Sequence, residues 1–528
     1  VSLNRISTNF AVNKKNVVAF TVLKYDINTN SKSRNINLLD LQTGQVRELT
    51  PSNFGVLDDN PVWLREDILL FLRGKQLFYI NLRLSDFKPR QLFAFESEIE
   101  NLKSHVSSKS LYFTSITKDV ASANLKRKFS NGVVFDQLLL RHWDNYTSQE
   151  KKSQLYILKY EINGDDVVVG DSRNLMKGSF LETPDGKQVC FASRVPSREE
   201  AWKTNIDIYT VNTEGDSKIM SKNSEIVSIS NDNSGSDSHP FYSKDGRFIA
   251  WLRMEKPGKE ADLNRIVLYD RSNGKKKILT KHFDRSCDEV IFSNDSANAY
   301  FPCQEHGQVK IFSCTIADGT VSEVVSTGGS KSLNYFTDSN NEGHLLFLRS
   351  TSVQAAEFFT VDVKSKILNQ RTFCNQEKYA NKHLIEPEEF WFKGFNNEDV
   401  MGWIWKPINF SVEKTYPTAF LVHGGPEGVE PTNLFQCRIS LLDVNSYGQL
   451  FTESILKNWG GAPYDDLMKG LDHLIKNHSY IDADRINMLG ASYGSIIDNC
   501  ILITCNHRWI YGELDKWKFR PFCINCKP

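Results

Sequence analysis

Pairs of short apolar strands, each closed by a turn, recur through the first 385 residues and leave few folds open. The leading strands are Val17–Phe20, Ile68–Phe71, Leu111–Phe113, Val189–Phe191, Phe248–Trp251, Ala299–Phe301 and Leu345–Phe347. Their partners are Ile36–Asp40, Leu77–Ile80, Leu155–Leu158, Ile206–Tyr209, Ile266–Asp270, Val309–Phe312 and Phe358–Asp362. A two-stranded hairpin cannot bury both of its faces alone, so such units must stack on one another. Their spacing, roughly 40 to 75 residues, lies in or above the range of propeller blades. The turns suit the reading. Thr183-Pro-Asp-Gly186 and Ser243-Lys-Asp-Gly246 combine a preset φ or an Asx bond with a glycine, and Thr43-Gly44 and Asn273-Gly274 follow the same logic. The expectation is a seven-bladed β-propeller over residues 1–385; one or two large β-sandwiches are the alternative. No Trp-Asp blade ending recurs, so a generic WD40 scaffold is not implied.

Near residue 386 the pattern changes. Glu389–Gly394 and Val400–Trp405 read as a hairpin around Asn396-Asn-Glu-Asp399. Thr418–Val422 reads as a buried parallel strand running straight into His423-Gly-Gly-Pro426. Asp465–Ile475 reads as an amphipathic helix with an acidic start, and Arg485–Leu489 as a further strand. Alternating strands and helices predict an α/β domain over 386–528.

That last strand leads into Gly490-Ala-Ser-Tyr-Gly494. A Gly-x-Ser-x-Gly elbow puts a serine on a tight strand-to-helix turn, where its oxygen can attack a carbonyl. Five residues alone are weak evidence. The preceding strand, the helical segment after it and the His-Gly-Gly strand end upstream give them weight. His423-Gly-Gly-Pro-Glu-Gly428, Asn458-Trp-Gly-Gly-Ala-Pro-Tyr-Asp-Asp466 and the elbow together resemble the hydrolase domain of the prolyl oligopeptidase family. Within it the chain is most similar to the fungal secreted dipeptidyl-peptidase V branch, related to acylaminoacyl peptidases. Arg141-His-Trp-Asp144 and Phe283-Asp-Arg-Ser286 are looser matches to that branch.

The resemblance implies a propeller capping an α/β-hydrolase, and serine hydrolysis that releases N-terminal dipeptides from short peptides. Ser492 would be the nucleophile, and the backbone N–H groups of Tyr493 and Gly425 would form the oxyanion hole. His423 would shape its loop rather than act as base, or be purely structural. Arg141 is a candidate to face substrate, with an ordinary ion pair as the alternative.

Three departures qualify this. On this fold the acid and histidine of the triad follow the serine, on the order of a hundred residues later. Here Ser492 is followed only by Asp498, Glu513 and Asp515 and by His507, which falls within or just after the elbow's own helix. Second, Val429–Ser446 is short for the helix and core strand that the family places there. Third, Ser495–Cys505 is β-branched and cysteine-rich, poor material for the helix expected after the elbow. An unspliced intron would leave such signs. The hydrolase domain is therefore expected to be truncated, with no triad Asp or His in this chain, and inactive as it stands. A non-catalytic propeller protein or pseudoenzyme, and an acylaminoacyl peptidase or esterase, remain as alternatives.

Charge and cysteines exclude other classes. Lys+Arg and Asp+Glu are both 64, so nothing points to a nucleic-acid surface or a basic membrane patch. Apolar runs such as Ile68–Leu72 are strand-sized, far short of a membrane span. Cys523-x-x-Cys526 lacks the second ligand pair of a zinc site, so neither metal nor cofactor is expected. Sequons at Asn145, Asn294, Asn409 and Asn477 permit a secreted glycoprotein, with a cytoplasmic protein as the alternative.

Overall fold

The computed structural model describes residues 3–95, 97–118, 141–142, 145–146, 151–175, 188–194, 202–212, 227–425, 440–441, 447–490 and 492–497. The chain divides into two compact units, Val1–Lys382 and His383–Pro528.

Each of the seven strand pairs read in residues 1–385 pairs antiparallel in the first unit. Val17–Asp26 pairs with Ser31–Asp40, Ile68–Arg73 with Gln76–Asn81, and Phe248–Arg253 with Arg265–Asp270. Asn298–Glu305 pairs with Gln308–Thr315, and Gly343–Thr351 with Gln354–Asp362. The turn at Ser243–Gly246 closes as expected: Gly246 has φ +71° and its N–H donates to Ser243 O at 3.0 Å. The turn at Thr183–Gly186 lies outside the described residues.

Strands on either side of the hairpins complete the sheets. In Asp237–Ile278 an inner strand, Asp237–Tyr242, precedes the hairpin, and an exposed outer strand, Lys275–Ile278, follows it. The inner strands carry bulges at which one residue turns left-handed: Asn60, Asn101, His239 and Ser332. At the head of two inner strands a fully buried aspartate meets an arginine from the hairpin. Arg73 Nε and Nη2 donate to Asp58 at 2.6 and 2.9 Å, and Arg253 Nε donates to Asp237 at 2.8 Å. Trp251 Nε1 also donates to Asp237, at 2.6 Å.

Apolar side chains join each sheet to the next. Ala250, Leu252 and Ile266 of one sheet pack on Phe292, Phe301 and Phe312 of the following one. Buried rings of this kind contribute about 1.5–3 kcal/mol each. The first and last sheets also meet. Phe10 and Phe20 stand edge-on to Phe358 at 5.0 and 5.2 Å, and Asn4 and Asn375 exchange hydrogen bonds at 2.8 and 2.9 Å. The sheets therefore close into a ring, as in a β-propeller.

The second unit is a mixed sheet packed against a helix. Its strand order is Glu388–Lys393, Asp399–Ile404, Ser440–Leu441, Tyr416–Val422 and Ile481–Gly490. The first two form the expected hairpin, and the last two run parallel, with Val422 opposite Gly490. The core strand read as missing from this region has a remnant. Ser440–Leu441 fills its slot, pairing antiparallel to Gly402 and parallel to Leu421 and Val422. That correction has a simple cause: an empty slot would leave backbone groups of both neighbouring strands unpaired. The helix Ala462–Asn477 starts earlier than its acidic residues suggested, because Pro463 serves its first turn. Leu467, Leu471 and Leu474 face Phe390, Phe392, Phe420 and Ile486. No helix among the described residues is long and apolar enough to cross a membrane.

Candidate active site

Ser492 lies directly beyond the strand Ile481–Gly490, and Tyr493–Ile497 are helical after it. Its φ of +58° is left-handed, a region that a serine occupies only at a cost of about 1–2 kcal/mol. The residue is exposed while its successors, Tyr493 and Gly494, are buried. Close backbone approach explains Gly494. A β-carbon there would stand 2.2 Å from Val422 O and 3.1 Å from His423 O, so only glycine lets the new helix start against the neighbouring strand's end. The turn is then locked by the Ser495 N–H, which donates to Ser492 O at 3.0 Å, and by Ser495 Oγ, which donates to Gly490 O at 2.9 Å.

The parallel register brings the second sequence element to the same sheet end. Val422 opposite Gly490 puts His423-Gly424-Gly425 beside the elbow's first residue. His423 is buried, with Nδ1 2.6 Å from Gly424 O, and Gly425 is exposed with φ +141°. The structure thus brings Ser492, Tyr493, His423 and Gly425 to one sheet end. Arg141 belongs to a two-residue ribbon, Arg141–His142 with Asn145–Tyr146, in the first unit. Asp498, His507, Glu513, Asp515, Cys523 and Cys526 lie outside the described residues.

The run Asn458–Asp466 was legible as a motif, but its work was not. Its two ends brace different parts of the second unit: one the elbow, the other the first hairpin. At one end, Trp459 O accepts a hydrogen bond from the Tyr493 hydroxyl, and its ring stands edge-on to Tyr493 at 5.6 Å. At the other, Asp466 accepts the Phe395 N–H at the tip of the hairpin, where Lys469 Nζ donates to Gly394 O at 2.8 Å. Burial pushes the Asp466 carboxyl up to about 6 against that hydrogen bond. Between the two ends, a β-carbon on Gly461 would overlap the Asn458 amide, so the tight turn needs its glycine. Only the pairing of Tyr493 with a residue 34 positions earlier could have revealed the brace, and spacing does not encode it.

A groove of about 650 Å³ between Trp391, Lys393, Asp399, Asp472 and Lys476 touches none of these elbow residues. Among the described residues no group of three or more metal-ligating side chains is gathered.

The elbow falls inside the stretch that matches a known family. Residues 444–512 match the model of the prolyl oligopeptidase family. Dipeptidyl-peptidase 5 of Schizosaccharomyces pombe is 26% identical over 530 residues, covering 92% of this chain and 73% of that protein. Dipeptidyl-peptidase 5 of Aspergillus fumigatus is 26% identical over 569 residues, covering 96% and 75%. Among solved structures, an acylaminoacyl peptidase bound to a peptide chloromethyl ketone superposes with a TM-score of 0.74 at 18% identity, covering 95% of this chain and 76% of that one. The acylaminoacyl peptidase of Pyrococcus horikoshii gives 0.72 at 18% identity, covering 96% and 76%. The stretch around the elbow thus matches the prolyl oligopeptidase family, and the chain as a whole is similar to dipeptidyl-peptidase 5 proteins.

Proposed function

We propose that the chain represents a serine exopeptidase that releases dipeptides from the N-termini of short peptides through an acyl-enzyme on Ser492. One observation carries the reading: a serine held at φ +58° and exposed, at the sheet end it shares with Gly425. In the acylation step Ser492 Oγ would attack the peptide carbonyl and lose its proton to a base. The Tyr493 and Gly425 N–H groups would hold the resulting oxyanion. His423 shapes the strand end in this reading, through its contact with Gly424 O. Dipeptide release is supported by the names of the relatives. A count of seven blades is supported by the seven central hairpins and by the apolar cluster between each hairpin and the next.

The base and acid of a triad are not assigned to any described residue. We infer that this sequence by itself holds a nucleophile without its activating partners, because the one histidine after Ser492 is His507. A secreted, glycosylated protein is the compartment reading. It is supported by the exposure of Asn294, Asn409 and Asn477, each in a sequon.

A fluorophosphonate probe tests the core of the proposal, with Ser492→Ala as control. No labelling is expected of the chain alone. Labelling that disappears in Ser492→Ala would show an activated serine and overturn the inference that its partners are missing. Labelling that persists in Ser492→Ala would overturn the assignment of Ser492. Dipeptide and acetyl-amino-acid reporters then separate dipeptidyl-peptidase from acylaminoacyl-peptidase activity.

A further inference from the structure

We propose that Cys287 and Cys303 join in a cross-strand disulfide when the chain folds in the presence of a low-molecular-weight disulfide. The two residues face each other as an isolated antiparallel bridge just ahead of the inner strand Ile291–Phe292. The bond beside them runs from Asp288 N–H to Pro302 O at 3.2 Å, so the cysteines form a non-hydrogen-bonded pair. In such pairs the Cα atoms stand about 4.5 Å apart and both side chains rise from the same face. A disulfide spans Cα separations of about 4.4–6.8 Å, so this site needs a rotamer change rather than a backbone shift.

The surroundings favour that pair over any other described cysteine. Both residues are fully buried and belong to one apolar cluster with Phe292, Phe301 and Phe312. Cys314 shares the cluster but lies opposite Ala299, four residues along the strand from Cys303 and so about 13 Å away. Cys190 lies in another cluster, and Cys374 packs beside the first and last sheets.

The chemistry balances as two thiol–disulfide exchanges. One cysteine thiolate attacks the small disulfide and expels a thiol. The second then attacks the mixed disulfide and expels the other. The protein gives up two protons and two electrons, and the oxidant leaves as two thiols. Burial drives both thiols well above their ordinary pKa once the ring is closed. Exchange therefore belongs to the folding chain, before these strands pack. The product would tie the segment just before the strand Ile291–Phe292 to the strand Asn298–Glu305. The same segment is already held to the preceding sheet by the Cys287 N–H, which donates to Asn264 O at 3.1 Å.

The test folds the full chain with a mixture of oxidised and reduced glutathione, alkylates free thiols in denaturant, and maps the peptides by mass. The expected product is one linked peptide pair carrying Cys287 and Cys303, lighter by two hydrogens than the reduced pair, with Cys190, Cys314 and Cys374 alkylated. Alkylation of both Cys287 and Cys303, or linkage of either to a different cysteine, would overturn the proposal. Thermal unfolding supplies a second readout. Reductant should lower the midpoint of the oxidised parent by a few degrees and leave Cys287→Ala unmoved; an equal shift in Cys287→Ala would also overturn it. Neither readout involves peptidase activity, so the proposal stands or falls apart from the function assigned to Ser492.

Discussion

The ring of sheets and the elbow both hold residues in left-handed backbone, but they handle the strain differently. In the ring, part of that strain falls on asparagines, which tolerate it well, and the local structure absorbs it. Asn60 has φ +51°, and its side-chain amide donates to Leu102 O at 3.0 Å. Buried charge in the ring is likewise met by a partner, as at Asp58 with Arg73 and Asp237 with Arg253. In the second unit the left-handed residues include Ser492, which is exposed, and the packing beneath it forces the conformation. Strain that is locally satisfied serves architecture. Strain imposed on an exposed serine is what the proposed nucleophile role calls for.

The largest test of the contrast removes a partner from the ring. Desolvation raises the Asp237 carboxyl even with Arg253 beside it. Arg253→Met would strand that buried carboxylate and should cost about 3–5 kcal/mol, read by urea unfolding. Arg73→Met should cost less, because Arg73 is about one-third exposed where Arg253 is 10% exposed. Equal losses would break the link between burial and cost.

A second test uses the one acid that is strongly raised among the described residues of the second unit. In the folded chain Asp466 keeps its proton up to pH about 6, whereas an unfolded aspartate releases it near pH 4. Folding therefore binds a proton within that window, and stability contributed by the protonated group is lost as pH rises through it. Relative to Asp466→Asn, the parent should lose about 1–3 kcal/mol between pH 4 and pH 7. A difference that does not change with pH would show that the carboxyl is not desolvated as described.

The smallest effect is the most specific. Ser492→Ala and Ser492→Gly both delete the hydroxyl, but only glycine relieves the left-handed backbone. Ser492→Gly should be more stable than Ser492→Ala by about 1 kcal/mol. Asn60→Gly should bring no such gain, since it loses the bond to Leu102. Equal stability of the two Ser492 variants would mean that the elbow is not strained.

How much of this was legible in the sequence follows from where apolar residues are needed. The central hairpins are buried on both faces, so Phe248–Trp251 and Ile68–Phe71 read as continuous apolar runs. The outer strands escaped notice because solvent faces them: Val46–Glu48 is exposed at all three positions. The inner strands escaped because bulges interrupt their alternation, as between Ser238 and Phe241. At the site, Ser492 and the His423–Gly425 strand end were readable from motif and order. The brace from Trp459 and Asp466 was not, since it joins residues far apart in the chain. The strand at Ser440–Leu441 was hidden by its length, two residues being too few to show any periodicity.

In the proposed function Ser492 is a nucleophile that depends on partners outside the described residues. The direct measurement joins this chain, after Ile497, to the corresponding downstream segment of the Schizosaccharomyces pombe relative and treats both proteins with a fluorophosphonate. The expected result is a single adduct on Ser492 in the joined protein and none in the chain alone. An adduct on Ser492 in the chain alone, or a folded joined protein that labels at some other serine, would contradict the account.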